Sequence, residues 1–95
     1  MELTIQHEKA ATKGRFFVEN DKKTLAEMTY SVAGSDKIII DHTEVDDSLR
    51  GQGVGHKLLE ALVAYVRAEQ IKVIPLCPFA KAQIQKNTSY HDILA

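Results

Sequence analysis

The sequence predicts a mixed α+β domain, with an antiparallel meander, one parallel strand pair and two helices packed on the sheet. Three observations lead there. Three β-type runs in the first half are separated only by short turns. A hydrophobic run, a glycine-rich turn and a long amphipathic helix then follow in that order. A second short β-type run comes directly after that helix, and a strand–helix–strand unit makes a parallel pair with a right-handed crossover. The 95 residues are expected to form one domain, 1–95.

Leu3 to His7 alternates weakly and reads either as a short first strand or as an extended arm. Arg15 to Glu19 is rich in β-formers. After the turn residues Asn20 to Lys23, the run Thr24 to Ala33 alternates, with Ala26, Met28, Tyr30 and Val32 on one face. Gly34-Ser35-Asp36 makes the next turn, and Lys37 to Val45 the next strand. Short turns imply antiparallel pairing of these three. From Val54 to about Glu69, apolar residues Val54, Leu58, Leu62, Tyr65 and Val66 recur at helical spacing, a stripe that packs on the sheet. Ile71 to Cys77 is the final strand, and Pro78 opens a short helix reaching Lys86. Pro75 and Pro78 cannot donate to a ladder, so the parallel pair weakens at that end.

Charge and composition exclude several classes. A net charge of −1 gives no electrostatic footprint for nucleic acid or an anionic membrane. No run approaches the length of a membrane span, and Met1 to Thr12 has no apolar signal core. The lone Cys77 cannot form an internal disulfide. The expectation is a cytoplasmic protein, a monomer or weak homodimer, with no metal site.

The stretch that carries chemistry is Arg50-Gly51-Gln52-Gly53-Val54-Gly55. A glycine turn entering a helix exposes unpaired N–H groups at the positive end of the helix dipole, which suits a phosphate. The dinucleotide fingerprint fails, because Leu58 or His56 stands where its third glycine belongs. The P-loop fails, because Lys57 is followed by Leu58 and not by a hydroxyl residue. The pattern [QR]-x-x-G-x-[GA] fits at Arg50, Gly53 and Gly55. In this the sequence resembles the pyrophosphate loop of the GNAT superfamily of N-acetyltransferases, over roughly residues 24–84.

The resemblance implies acetyl-CoA as cofactor and a parallel strand pair that splays to admit the pantetheine arm. It implies backbone contacts to pyrophosphate from Gln52, Gly53, Val54, Gly55 and His56, with Arg50 and Gly51 opening the loop. It also implies a main-chain donor to the thioester carbonyl around Thr43 to Val45. Acetyl transfer needs a base for an amine whose pKa is near 10.4. Asp41, His42 and Glu44 cluster at the functional end of their strand. Strict alternation puts His42 and Glu44 on the face of Ile38 and Ile40, whereas a bulge there reverses this. Members of the family often read V-x-x-x-N-x-x-A-x-x-L-Y at the last strand. Here Val73 and Ala80 match, Cys77 replaces the asparagine, and Gln83 and Ile84 replace the Leu-Tyr pair. The family's thiolate-protonating tyrosine is therefore missing. Three alternatives stand: no acid is used, Tyr90 substitutes, or Cys77 takes part, including by accepting the acetyl group. The chain also lacks the family's later strands, so the acceptor site is expected to be open, which suits a protein or peptide amine. The rival function is a non-catalytic module that binds CoA or acyl-CoA.

Overall fold

The architecture follows from the strand faces and two irregularities, of which the one between the second and third strands leaves Leu25 unpaired between Ala26 and Thr24. A computed structural model describes residues 4–95, so Leu3 of the expected first strand lies outside the described residues. Strands β1 (Gln6–Lys9), β2 (Lys13–Asn20), β3 (Lys23–Val32) and β4 (Lys37–Val45) pair antiparallel in sequence order. Of the two readings of the N-terminal stretch, the strand is the one formed, though it starts at Gln6. The β2–β3 hairpin turns on Asp21 and Lys22, at φ 51° and 65°. Two successive positive φ angles match the right-handed twist of the flanking strands.

A 3-10 turn (Asp47–Leu49) leads to helix α1 (Val54–Glu69), then strand β5 (Lys72–Pro75), helix α2 (Pro78–Lys86) and a second 3-10 turn (Thr88–Ile93). β5 is shorter than the expected Ile71 to Cys77. It pairs parallel with β4 only from Lys37↔Lys72 to Ile40↔Pro75. Beyond that, the N–H groups of both Leu76 and Cys77 donate to the single carbonyl of Ile40, at 3.1 and 3.0 Å. The ladder ends there while β4 runs on to Val45, and the two strands part. The C-terminal residues are less of a tail than expected: Ile93 is buried, and Ala95 N–H donates to the carbonyl of Val73.

Both helices pack on one face of the sheet. Leu58, Leu62, Ala80 and Ile84 join Met28, Tyr30, Ile38 and Ile40 in one core. Among the described residues no helix covers the opposite face. There the Arg15 guanidinium pairs with Glu8 and Glu27 and lies 3.9 Å over the ring of Phe17. That cover leaves Phe17 buried on a sheet face that has no second layer among the described residues.

The irregularity that positions the site is a bulge in β4. Thr29 pairs with His42 but Tyr30 pairs with Ile40, so Asp41 is an extra residue. Before it, Ile38 and Ile40 face the core; after it, Thr43 and Val45 do, opposite Met28 and Ala26. The bulge alternative therefore holds. His42 and Glu44 lie on the uncovered face, where charged groups keep their water.

Tyr30 is fully buried, and its hydroxyl meets His7 Nε2 at 2.6 Å. Burial pushes that hydroxyl up to about 12, so it stays a donor, and burial followed by the charge of Lys9 lowers His7, which suits an acceptor. The Tyr30 ring fits because its cross-strand neighbour is Gly14, where a Cβ would lie 2.4 Å from Cζ and the hydroxyl. Gly14→Ala is expected to destabilise the fold by about 1–3 kcal/mol, the usual cost of overpacking. A drop in melting temperature of about 4–8 °C per kcal/mol would register it; an unchanged melting temperature would show that the ring can move.

Candidate active site

The glycine loop folds as its residue types dictate. Asp46 caps the first 3-10 turn, accepting from Ser48 N–H at 3.0 Å and Ser48 Oγ at 2.6 Å. The Ser48 hydroxyl and then its backbone N–H hold Asp46 below the ordinary carboxylate range. Leu49 is buried and anchors the turn. Arg50 is exposed and pairs with Asp47 at 3.0 Å, a surface contact of small energy. The chain then needs two left-handed residues, and both are glycine: Gly51 at φ 79° and Gly53 at φ 67°.

Gly53 is the N-cap of α1 and has no side chain to cap with. The first helical bond runs from Lys57 N–H to Gly53 carbonyl at 3.1 Å. The N–H groups of Val54, Gly55 and His56 are thus without intrahelical partners, and no acidic residue sits in the first turn. Those donors border a cleft of about 270 Å³ lined by Thr43, Val45, Leu49, Arg50, Gly51, Gly53, Val54, Gly55, His56 and Phe79. Larger depressions of about 700 and 610 Å³ lie on the uncovered sheet face, but neither contains a helix N-terminus. Of these three, the smaller cleft is the one bordered by unpaired helix N–H groups, which are donors suited to an anion.

Gly55 also has a packing role. A Cβ there would come within 2.8 Å of Phe79 Cζ, so its bareness lets the α2 ring close one wall of the cleft. His56 meets Phe79 edge-on and bonds Gln83 Oε1 at 2.8 Å, fastening the start of α1 to α2. Phe79 was not foreseen as a cleft residue. The signal was present, since a glycine in a first helical turn leaves room for a large neighbour.

Cys77 is the N-cap of α2 and is 4% exposed. Its Sγ lies 3.2 Å from Thr43 Oγ1, across the gap where β4 and β5 have parted. Of the residues expected at the site, the structure gathers Val45, Arg50, Gly51, Gly53, Val54, Gly55 and His56 around one cleft, with Cys77 reached through Thr43. Gln52 is exposed and does not line it. His42 and Glu44 sit on the other side of the sheet, 57% and 68% exposed, with Nε2 to Oε1 at 2.9 Å. Tyr90 lines a separate depression beside Asn87, at the far end of α2 from Cys77.

The sequence model of the GCN5-related N-acetyl-transferase family matches residues 15–93. The chain belongs to that family. The NMR solution structure of a GCN5-like protein from Staphylococcus aureus is 39% identical, with a TM-score of 0.72 over 95% of this chain and 87% of that one. The ribosomal-protein-S18-alanine N-acetyltransferase of Escherichia coli, at 20% identity, shares the fold with a TM-score of 0.59 over 68% of this chain and 42% of that one. Protein NATD1 of Xenopus tropicalis is 29% identical over 62 residues, which are 65% of this chain and 57% of that protein. The chain thus matches little more than half the length of that curated relative. The expected fold of the family, including its parting β4 and β5, is the fold observed.

Proposed function

We propose that this GCN5-related protein moves an acetyl group from acetyl-CoA to an amine. The observation that carries the reading is the cleft itself: unpaired N–H groups of the glycine loop at one end, parted strands β4 and β5 at the other. Pyrophosphate on the loop would lay the pantetheine arm along Val45 and Thr43. The main-chain donors of Thr43 to Val45 are then available to the thioester carbonyl. The amine would arrive from the uncovered sheet face, where His42 takes its proton and Glu44, 2.9 Å away, orients the ring. Cys77 supplies a thiol at the strand gap, where the family often has asparagine.

The acceptor in this reading is an amine on a large or flexible molecule, such as a protein, because among the described residues no layer covers the face beside His42. A lone, buried cysteine fits a reducing cytoplasm. Among the described residues no helix is long and apolar enough to cross a membrane.

A two-dimensional NMR titration with acetyl-CoA, with ATP as control, tests the cofactor. Shifts centred on Gly51 to His56 and on Thr43 are expected with acetyl-CoA alone. No response would remove the reading. Amine and peptide mixtures then test transfer, and His42→Gln should lower kcat/KM by about 100-fold or more. Binding without transfer to any amine would favour the rival CoA-binding module.

A further inference from the structure

The catalytic gap in this chain is a proton donor for the departing CoA thiolate. By the motif resemblance, Ile84 stands where members of the family often have tyrosine, and it is fully buried in the core. Tyr90 belongs to a different depression. Of the residues lining the cleft, Thr43 alone carries a hydroxyl. It is there because the Asp41 bulge turns it to the core face. Cys77 lies behind it, almost fully buried and not itself a lining residue. A thiol so placed is badly sited to attack a thioester in the cleft, but well sited to support the hydroxyl in front of it.

Resting on the acetyl-transfer reading above, we infer that Thr43 and Cys77 form a hydroxyl–thiol relay that protonates the leaving thiolate. Thr43 is the member that touches the cofactor, and Cys77 acts through it. When the tetrahedral intermediate collapses, the carbon–sulfur bond breaks and its electron pair stays on the CoA sulfur. Thr43 Oγ1 gives its proton to that sulfur and takes the Cys77 S–H proton across the 3.2 Å contact. Cys77 is left as a thiolate. Once CoA has left, Cys77 recovers a proton back through Thr43 from solvent, into which the His42 imidazolium releases the one it had taken from the amine. The net change moves one proton from amine to CoA and leaves both side chains as they began. A threonine alone could not serve, since its hydroxyl is too weak an acid to end as the anion.

The test is a binding cycle that needs no turnover and no known acceptor. CoA and desulfo-CoA, which lacks the thiol, are titrated into the parent, Thr43→Val and Thr43→Ser proteins at several pH values. The relay predicts that Thr43→Val weakens CoA about 5- to 20-fold at the highest of these pH values, where the most thiolate is present. Desulfo-CoA binding should change less than twofold, and Thr43→Ser should restore CoA affinity. Cys77→Ala should reproduce part of the Thr43→Val loss, with no further loss in the double variant. Incubation of the parent with acetyl-CoA should leave no acetyl mass on Cys77. Equal CoA affinity in parent and Thr43→Val would overturn the relay while leaving the cofactor assignment intact, and so would stoichiometric acetylation of Cys77. Failure of the parent to bind either ligand would instead remove the acetyl-transfer reading itself. Backbone NMR spectra of both Thr43 variants, matching the parent outside the cleft, establish that they are folded.

Discussion

Gly53→Ala is expected to weaken acetyl-CoA binding by about 10- to 100-fold while removing only about 1–2 kcal/mol of stability. The stability cost is the left-handed backbone: Gly53 sits at φ 67° and ψ 26°, where a Cβ crowds the following carbonyl. Sterically the fold has room, because a Cβ built there meets nothing within 4 Å. The space it enters borders the cleft, at the residue just before the three unpaired N–H groups. A methyl there holds an anion away from those donors. Losing one hydrogen bond to a charged group costs about 1.5–3 kcal/mol, and each 1.4 kcal/mol is tenfold in affinity. Gly34→Ala is the control. Gly34 has φ 86° and equal open space, but it lies in an exposed turn away from the cleft. It should lose similar stability and no affinity. Calorimetric titration together with thermal melts separates the two effects, and parent-like affinity for Gly53→Ala would mean that the loop does not cradle the pyrophosphate.

Deleting Thr43 should cost far more than deleting Asp41. Asp41 is the unpaired residue of the bulge, and without it His42 follows Ile40 directly. Strict alternation then leaves Ile38, Ile40, Thr43 and Val45 on the core face and His42 and Glu44 on the uncovered one, so that deletion keeps every face. Without Thr43, either the bulge stays and Glu44 enters the core while Val45 leaves it, or the bulge flattens and His42 enters. Burying a carboxylate or an imidazole without a partner costs several kcal/mol. Against a total of about 5–14 kcal/mol for a chain of this length, that is a large share of the stability. Loss of cooperative urea unfolding, or detachment of residues 41–45 seen by hydrogen exchange, is the expected result for the Thr43 deletion. Asp41→Ala keeps the bulge and gives up only the 2.6 Å bond from Ser31 Oγ, so it should lose about 1 kcal/mol or less. A Thr43 deletion variant melting within a few degrees of the parent would show that alternation around the bulge does not set which groups enter the core.

These two variants mark the boundary between what could be read along the chain and what could not. The glycine loop was legible because its requirements are local. Left-handed φ at Gly51 and Gly53 and an uncapped helix start need only glycine at those positions and a helical pattern after them. The helix Val54–Glu69 was legible from its apolar period, and the face of β3 from its alternation. The partition of Asp41, His42, Thr43 and Glu44 between two faces was not. A bulge shifts parity by one residue, and polar residues at a strand's end carry no alternating signal to reveal it. For the same reason Thr43 was foreseen only for its backbone, and its hydroxyl on Cys77 was not foreseen.

By itself, the sequence determined the order of the main strands and helices, the faces that β3 and α1 bury, the glycine loop and, through that loop, the family. Each depends on neighbours within about one helical turn or two strand positions, where covalent geometry and solvent exposure dominate. Tertiary structure alone decided how far β5 follows β4, which side of the sheet receives each polar group, and what stands between Cys77 and the cleft. Those outcomes rest on contacts between residues far apart in the chain. Ile40 accepts from Leu76 and Cys77, Phe79 closes over Gly55, and Thr43 reaches Cys77 across 34 positions. Pairings of that kind are selected by packing the whole domain at once, so no local stretch of sequence states them.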